Sequence, residues 1–415
     1  MTGTATSNDG AGAPDLLYSE IEEDLRSSVR ALLAERSPWQ AVLARTEQDE
    51  TTDLKLWRAL AAELGCAGLP VPEALGGAGA SFRETAVVME ELGRAVAPVP
   101  FLGSAVMATA ALLACGEHEL LPALAAGERT AALAVPLPVP PGQHPPEPVR
   151  ADAGGDEPDR AELTGAVTSV ADALAADVLL VPAGGALYAV PAGADADGIA
   201  DGVPDGVPDG VADGVPDGVA DGVADGGPVS RTPVTSLDMT RQLCDITFRS
   251  APGRRIATGQ AAAGAVGAAL RTGAAMLASE QLGLAQRCLE MTVEYVRERH
   301  QFGRPVGSFQ ALKHRLADQW ASVTGARAAA RYAADCAATG DPDTAVAVAV
   351  AQAYCSEAAT SAAEECVQMH GGIGFTWEHP AHLYLKRAKS DALALGTPDR
   401  HRAALAELAG LPPPA

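Results

Sequence analysis

Aromatic side chains are scarce in this sequence: Phe, Trp and Tyr supply only 4% of its 415 residues, whereas apolar residues as a whole supply 47%. A buried interior must therefore be built mainly from Ala, Leu and Val, and the long Ala-rich stretches favour helices packed on helices. Because single cores stop growing at about 250–300 residues, the length predicts two or three cooperating domains.

Basic residues are also in short supply, and cysteine pairs are absent. The 30 Lys and Arg residues face 53 Asp and Glu residues, and the resulting net charge of −23 repels phosphate backbones, so we expect no nucleic-acid partner. No C-x-x-C pair occurs, which argues against a zinc site and a disulfide framework. The scattered cysteines are expected to be reduced core thiols: Cys66, Cys115, Cys244, Cys288, Cys336, Cys355 and Cys366.

Targeting and membrane signals are missing as well. The N-terminus has no basic region followed by an apolar segment, and no stretch reaches the ~18–20 apolar residues that a membrane span requires. We therefore expect no membrane partner and a cytoplasmic location. Residues 1–14 are small and polar, which predicts a disordered tail.

Two different patterns occupy the first 257 residues. Residues 15–130 read as helices, and Ser81 precedes Glu84 at the spacing of a capping box. Residues 131–257 contain short β-like runs separated by Pro and Gly, which predicts a small β domain with strands near 177–183, 186–190 and 244–248. Within that domain an Asp/Gly tetrapeptide repeat covers 197–227. Its period differs from known calcium repeats, which favours an expanded surface loop over ion binding.

Helical periodicity dominates residues 258–410. Two apolar stripes predict the buried faces of the first two helices, and breaks at Gly303, Pro305 and Gly307 separate these helices. Further helices over about Thr344–Met369 and Pro380–Ala409 would complete a four-helix bundle. The stripes comprise Leu277, Leu284, Cys288, Met291 and Tyr295, then Phe309, Leu312, Leu316, Trp320 and Val323.

Four segments of the chain resemble acyl-CoA dehydrogenases. They are 57–106 (WRALAAELGCAG…), 236–248 (SLDMTRQLCDITF), 280–318 (EQLGLAQRCLEM…RERHQFGRPVGSFQALKHRLAD) and 366–390 (CVQMHGGIGFTWEHPAHLYLKRAKS). The resemblance covers about two thirds of the chain. It implies an α+β, mainly α fold, with an α-helical N-terminal domain, a small central β domain and a C-terminal four-helix bundle. It also implies FAD bound between the subunits of a dimer or tetramer.

The same resemblance implies a set of cofactor-binding residues. A guanidinium fixed at a helix end suits a pyrophosphate, and glycines allow backbone amides to approach phosphate closely. A lone Arg near a helix end or a His-Gly-Gly turn would carry no such meaning outside this context. The residues that the resemblance assigns to FAD are Arg299, Phe302, Gln310, Gln368, Gly371, Gly372 and Thr397.

The resemblance also implies a catalytic glutamate, and neither usual position carries one. Acyl-CoA dehydrogenation removes the proton α to the thioester carbonyl, which requires a general base. The base usually precedes a Gly-Thr pair, where this sequence has Leu395, or lies on the first bundle helix at the position of Gly273. Glu280 lies roughly 10 Å further along that helix. Asp391 is the remaining candidate, although a surface aspartate paired with Lys386 or Arg387 is the favoured interpretation.

Other expected features are missing too. The Thr-Glu-Pro and Gly-Ser-Asp segments and the Trp-containing strand of the family have no counterpart in 132–142 or 163–183, so we expect fewer contacts to FAD from the chain's own subunit. His379 and His382 form an H-x-x-H without a third ligand, so no metal is expected. His370, beside the glycines, is expected to line the cofactor, and His314 to be structural.

Three functions follow from these observations. The leading one is a FAD-dependent oxidoreductase of the acyl-CoA dehydrogenase type, which removes hydrogen across the α,β bond of an acyl-CoA thioester and passes electrons to an electron-transfer flavoprotein or similar acceptor. It would use an unusual base or act with a related chain in a homo- or hetero-oligomer. The alternatives are an inactive structural subunit and a flavoprotein of this fold acting on a substrate without CoA.

Overall fold

The computed structural model describes residues 16–48, 50–154, 159–192 and 227–412. The predicted tail of residues 1–14 and residues 197–226 of the Asp/Gly repeat lie outside these ranges. Helices come first in the chain, strands follow, and long helices end it. This order agrees with the α+β, mainly α fold class expected from the sequence.

The N-terminal part consists of short helices around two π-helical segments. Ser81 precedes the fourth helix, and its hydroxyl accepts a hydrogen bond from the Arg83 amide. The Glu84 carboxylate accepts a hydrogen bond from the Ser81 amide, so the predicted capping box is confirmed. The helices are α1 Glu20–Arg36, α2 Trp39–Thr46, α3 Leu54–Arg58, α4 Phe82–Ala95, α5 Thr109–Cys115 and α6 Leu121–Ala125, and the π segments are Ala59–Glu63 and Phe101–Ala108.

A sheet of seven strands follows. Its strands are β1 Ala131–Leu133, β2 Arg150–Ala153, β3 Arg160–Ala171, β4 Val178–Ala183, β5 Ala186–Pro191, β6 Val229–Val234 and β7 Leu243–Thr258. Their order is β1-β4-β5-β7-β3-β2, with β6 also paired to β7; β1 and β4 are parallel and the other pairs antiparallel. All three predicted strands are present.

The sheet separates two hydrophobic clusters. Along β4, Val178 and Leu180 join a large cluster shared with the N-terminal helices and the bundle, whereas Leu179 and Val181 join a smaller cluster on the opposite face. Successive side chains of a strand point to opposite faces. Because both faces of β4 are covered, its run is continuously apolar rather than alternating.

Long helices form the C-terminal bundle, with one departure from the expected boundaries. The residues predicted as one helix over Pro380–Ala409 form two, because Leu395 and Gly396 adopt φ of 54° and 103° and break the helical path. The elements are α7 Gly259–Glu298, the hairpin strands β8 His300–Gln301 and β9 Arg304–Pro305, α8 Gln310–Thr339, α9 Thr344–His370, α10 Ala381–Asp391 and α11 Pro398–Leu408.

One of the two predicted core stripes is right and the other is wrong. The α7 stripe is buried except for the half-buried Tyr295, but on α8 Trp320 is 64% exposed and only Val323 of its stripe is buried. The inward face of α8 instead carries small residues such as Ala326 and Ala330. Alanine allows close approach of α7 and α9, which leaves the larger apolar groups of α8 on the outside.

Helix α7 is the centre of the fold. It contacts α4, α5, α8, α9 and α10. Among the described residues it is also the one helix whose length and apolar composition would allow it to cross a bilayer, a property that buried core helices share. Its position inside the bundle accounts for that composition.

Two glycines let α4 and α7 cross in direct backbone contact. A Cβ placed on Gly93 of α4 would lie 2.0 Å from the Glu280 carbonyl oxygen, and one placed on Gly283 of α7 would lie 1.8 Å from the Glu90 carbonyl oxygen. Both distances are far below any real contact, so neither position accepts a side chain unless the helices separate.

Gly283→Ala is therefore expected to destabilise the protein by roughly 1–3 kcal/mol or more, because the added methyl forces α4 from α7. Urea unfolding of the two proteins measures this. The control is Gly264→Ala, also on α7, where a Cβ would meet no atom within 4 Å. That change should raise stability by up to about 1 kcal/mol through helix propensity. Equal effects at both positions would contradict the close crossing.

Candidate functional site

The two positions at which a catalytic glutamate was expected lie side by side. A Cβ on Gly273 would lie 3.1 Å from Leu395 Cδ1 and 2.9 Å from Met107 Cγ. Leu395 is fully buried and Met107 nearly so. Two segments far apart in sequence thus converge on one point, which is occupied by apolar atoms.

The turn that carries Leu395 is held from two sides. The Leu395 amide donates to the Leu137 carbonyl at 2.7 Å, and its own carbonyl accepts from His401 Nε2 at 2.9 Å. Burial lowers the pKa of His401, so the ring is neutral and protonated at Nε2, because that nitrogen faces a carbonyl. Loop 134–143 and α11 therefore close over the point where Gly273 and Leu395 meet.

Thr397 was expected to bind the cofactor, and the structure gives its hydroxyl a local partner. It begins α11, and its Oγ1 accepts from the Arg400 amide at 3.4 Å. This is the usual role of a threonine at a helix N-cap.

A cavity of about 460 Å³ lies next to this turn. Loop 140–143, α7, α9 and α11 line it, and the basic groups on its wall are Arg271, Arg400 and His401. Arg271 and Arg400 are exposed, and neither is paired with a carboxylate of the described residues. His401, which lines the cavity, also bonds the Leu395 carbonyl, so the cavity adjoins the point where Leu395 meets Gly273.

Asp391 is not the surface residue that the sequence favoured. It is fully buried at the end of α10, and its Oδ1 lies 3.3 Å from Arg241 Nη2, a group contributed by the chain 150 residues earlier. The expected partners Lys386 and Arg387 form no ion pair with it among the described residues. A carboxyl without exposed surface cannot reach a substrate carbon, which argues against Asp391 as the base.

Glu280 is also buried, and its carboxylate is bound by arginine side chains. Its Oε1 accepts from Arg241 Nη2 at 2.6 Å and from Arg387 Nη1 at 2.5 Å. Burial alone would raise the pKa of Glu280, but the two guanidinium groups outweigh it and hold the pKa below its usual value. Glu280 is therefore an ionised structural carboxylate, as its displacement from Gly273 along α7 also indicates.

Apart from Thr397, the residues expected to bind FAD lie at the far end of the bundle. Arg299 caps α7, Phe302 lies at the tip of the β8–β9 hairpin with 90% of its surface exposed, and Gln310 is the exposed first residue of α8. Tyr295, one turn before Arg299, stacks on His370 at 4.4 Å between ring centroids. This contact places the Gly371–Gly372 turn at the same end.

The Gly371–Gly372 turn has the properties that phosphate binding needs. Gly371 has a φ of 61°, which favours glycine, and a Cβ on either glycine would meet no atom within 4 Å. Their backbone is open to an approaching group, and the exposed Gln368 lies beside it. These residues, together with the Arg299 guanidinium, fit the pyrophosphate of a dinucleotide.

His370 is an exception to the expected cofactor set. Its ring is buried between the rings of Tyr295 and His379, and the ring centroids of His370 and His379 are 4.1 Å apart. The Nδ1 atom of His370 contacts the Cys366 carbonyl. The ring is therefore enclosed by protein atoms, which argues against the expectation that it lines the cofactor.

The two halves of the site are too far apart to serve one cofactor. Gly273 and Arg299 are 26 residues apart along α7, which corresponds to about 39 Å at 1.5 Å per residue. No single dinucleotide bridges that distance. Each end must therefore face a different cofactor molecule if both are used.

Comparison with known protein families identifies the family of this chain. Residues 19–128 match the model of the acyl-CoA dehydrogenase N-terminal domain, and residues 263–409 match that of the C-terminal domain. The protein named acyl-CoA dehydrogenase IpdE2 from Mycolicibacterium smegmatis is 34% identical over 380 residues, which covers 92% of this chain and 96% of that protein. The chain belongs to the acyl-CoA dehydrogenase family.

Other acyl-CoA dehydrogenases agree. FadE27 of Mycobacterium tuberculosis is 33% identical over 402 residues, covering 92% of this chain and 95% of the relative. A chain of the ChsE4-ChsE5 complex from the same organism superposes with a TM-score of 0.77 at 28% identity, over 96% of this chain and all of that one. Butyryl-CoA dehydrogenase of Megasphaera elsdenii, at 21% identity and a TM-score of 0.77 over 95% and 99% of the two chains, shows the shared fold.

The protein is therefore an acyl-CoA dehydrogenase-type oxidoreductase, and FAD is the cofactor that its family implies. Sequence reasoning missed Met107, which fills the space beside Gly273, and Arg241, which contacts the two buried carboxyls of Glu280 and Asp391. Arg241 lies inside the family-like segment 236–248, but one sequence cannot show which distant groups it meets.

Proposed function

We propose that this chain is the base-free subunit of a hetero-oligomeric, FAD-dependent acyl-CoA dehydrogenase. A related chain would supply the glutamate and the substrate cleft. The observation that carries the proposal is the convergence of Gly273, Leu395 and Met107 on one buried apolar point. A general base needs a carboxylate within hydrogen-bond reach of the α proton, and this point offers none.

In this proposal, the chain's contribution comes from the C-terminal end of α7. Arg299 would pair with the pyrophosphate, the Gly371–Gly372 amides would approach it, and Gln310 and Gln368 would donate or accept hydrogen bonds. When bound, FAD supplies the hydride acceptor. The chain's own residues bind and orient it, and the partner removes the α proton.

Exposed aromatic side chains on the outer surface of the bundle support contact with a partner subunit. Of the few aromatic residues, four are largely exposed, at the hairpin, on α8 and after the glycine turn: Phe302, Trp320, Phe375 and Trp377. Exposed aromatic groups on this scale mark protein–protein contacts, where Trp, Tyr and Phe are enriched. The ChsE4-ChsE5 complex is an assembly of two chains by name, and a similar pairing is proposed here. The acceptor would be an electron-transfer flavoprotein or similar protein, and the location cytoplasmic.

Purification of the chain alone and together with a glutamate-bearing homologue tests this function. The visible flavin spectrum would be recorded before and after anaerobic addition of a panel of acyl-CoA thioesters. We expect flavin bands, and their bleaching by substrate, in the co-purified complex alone. Bleaching of the single chain would overturn the base-free assignment, and a colourless complex would overturn the contribution to FAD.

The proposal also predicts a difference between two neighbouring arginines. Arg299→Met should weaken flavin retention by the complex roughly ten- to hundredfold, because a charge-assisted hydrogen-bond donor to phosphate is lost. Arg297→Met is the control, since Arg297 is an exposed residue in the last turn of the same helix. Flavin content per complex after gel filtration measures both. Equal losses would exclude a specific role for Arg299.

A further inference from the structure

A cluster of six ionisable side chains is buried where the three parts of the chain meet. Each member has 5% or less of its surface exposed. Three come from the β domain, one from α7 and two from α10, and the groups of residues around Gly273 and Arg299 include none of them. The members of this buried cluster are Asp172, Asp238, Arg241, Glu280, Arg387 and Asp391.

The centre of the buried cluster is a carboxylate shared by two arginines. Arg241 and Arg387 both donate to Glu280 Oε1. Arg387 Nε also lies 2.8 Å from Asp238 Oδ2, and both Arg387 Nε and Nη2 donate to the Thr240 hydroxyl. Residues 238–241 form the connection between β6 and β7, so these bonds fasten that connection to α7 and α10.

The buried cluster contains more carboxyl groups than arginines. Glu280 and Asp238 balance the two guanidinium charges, which leaves Asp391 and Asp172. Asp391 has one long contact to Arg241, and its Oδ2 accepts no hydrogen bond from the described residues. Burial and the charge of Glu280 raise the pKa of Asp391 to about 8. Burial raises the pKa of Asp172 to about 6, although the Gly103 amide donates to it at 2.8 Å.

Asp391 joins the end of α10 to α7 and to the turn that follows. It is the last residue of α10, and its backbone carbonyl accepts from Gln281 on α7 at 3.3 Å. The next residues lead directly to Leu395 and the turn held by Leu137 and His401. A displacement of Asp391 is therefore transmitted to the turn 392–397.

We propose that the buried cluster is a pH-dependent clamp in which a neutral Asp391 keeps the β6–β7 connection and the turn 392–397 fastened to α7. Ionisation of Asp391 adds an unbalanced negative charge beside Glu280 and competes for Arg241. The remaining charged groups facing Asp391 are Arg387 and Asp238. The clamp loosens at alkaline pH, and the turn 392–397 becomes more mobile.

The sign of the effect follows from where the proton is held. The folded chain keeps the Asp391 proton up to the raised pKa, whereas the unfolded chain loses it near the ordinary value of 3.8. Stability contributed by the proton is therefore lost as the pH rises between these values, and the loss levels off above about pH 8.

The test compares the full-length wild type with Asp391→Asn, which keeps the shape and removes the charge. Between pH 6.5 and 8.5 the unfolding temperature of the wild type should fall by roughly 2–4 °C more than that of Asp391→Asn. The comparison uses the change of unfolding temperature with pH and not the unfolding temperature itself, so a general loss of stability in Asp391→Asn cannot imitate the result. The control Asp399→Asn, at a position 93% exposed, should keep the wild-type slope. Equal slopes for all three proteins would overturn the clamp.

Hydrogen exchange of the wild type gives an independent readout. Above pH 8 the amides of residues 392–397 should exchange at least tenfold faster than the pH dependence of the chemical rate explains, while α7 keeps its protection. In Asp391→Asn this extra acceleration should be absent. Protection that follows only the chemical rate in the wild type would contradict the proposal.

Discussion

Replacement of Arg387 by methionine is expected to cost about 3–5 kcal/mol of stability, the largest effect that we predict for a single polar side chain. Arg387 is buried and reaches Glu280, Asp238 and Thr240 at once. Methionine fills much of its volume but leaves two buried carboxyls with less neutralising charge. Urea unfolding at pH 7 measures the loss.

The control for Arg387→Met is Arg402→Met on α11. Arg402 pairs with Glu357 and Asp399 on the surface. Water solvates all three groups when the pair is broken, so the unfolding midpoint should stay unchanged within error. If Arg387→Met behaved in the same way, the buried cluster would contribute no more than a surface ion pair.

Leu395→Glu should destabilise the chain and fail to create a catalytic base. The new carboxyl would lie against the apolar atoms of Met107 and Gly273, at a cost of roughly 2–5 kcal/mol from lost packing and unsolvated polarity. Burial would also raise its pKa, so the carboxyl would be protonated and unable to accept the α proton. Thermal unfolding and anaerobic bleaching of the single chain measure the two effects.

Leu393→Glu is the matched control, since Leu393 lies two residues earlier and is 59% exposed. It should leave stability nearly unchanged, as surface substitutions usually do. Substrate-dependent bleaching gained by Leu395→Glu alone would show that the spot is a working site that lacks only a carboxylate. That result would contradict the base-free role.

Local signals in the sequence predicted local structure well. The Ser81–Glu84 spacing defined the start of α4, and continuous apolar runs identified β4 and β5. These features depend on residues within a few positions of each other. The bounds of α9 were also predicted to within one residue, Thr344–Met369 against the observed Thr344–His370.

Long-range contacts account for what the sequence did not reveal. Asp391 appeared to be a surface residue because its partner Arg241 is 150 positions away. Trp320 shared a helical stripe with Val323, yet the small Ala face of α8 packs inward. Gly396 and Pro398 mark the break within Pro380–Ala409, which was predicted as a single helix.

The length of α7 has a consequence for how such subunits arise. In the proposed assembly Gly273 and Arg299, about 39 Å apart along the helix, would face different cofactor molecules, so selection could act on them independently. After duplication of a gene for a symmetric enzyme, one copy can lose the carboxylate at the Gly273 end and remain useful through Arg299. The cleft of the partner copy can then be enlarged or reshaped, because the partner needs to keep only its own catalytic carboxylate.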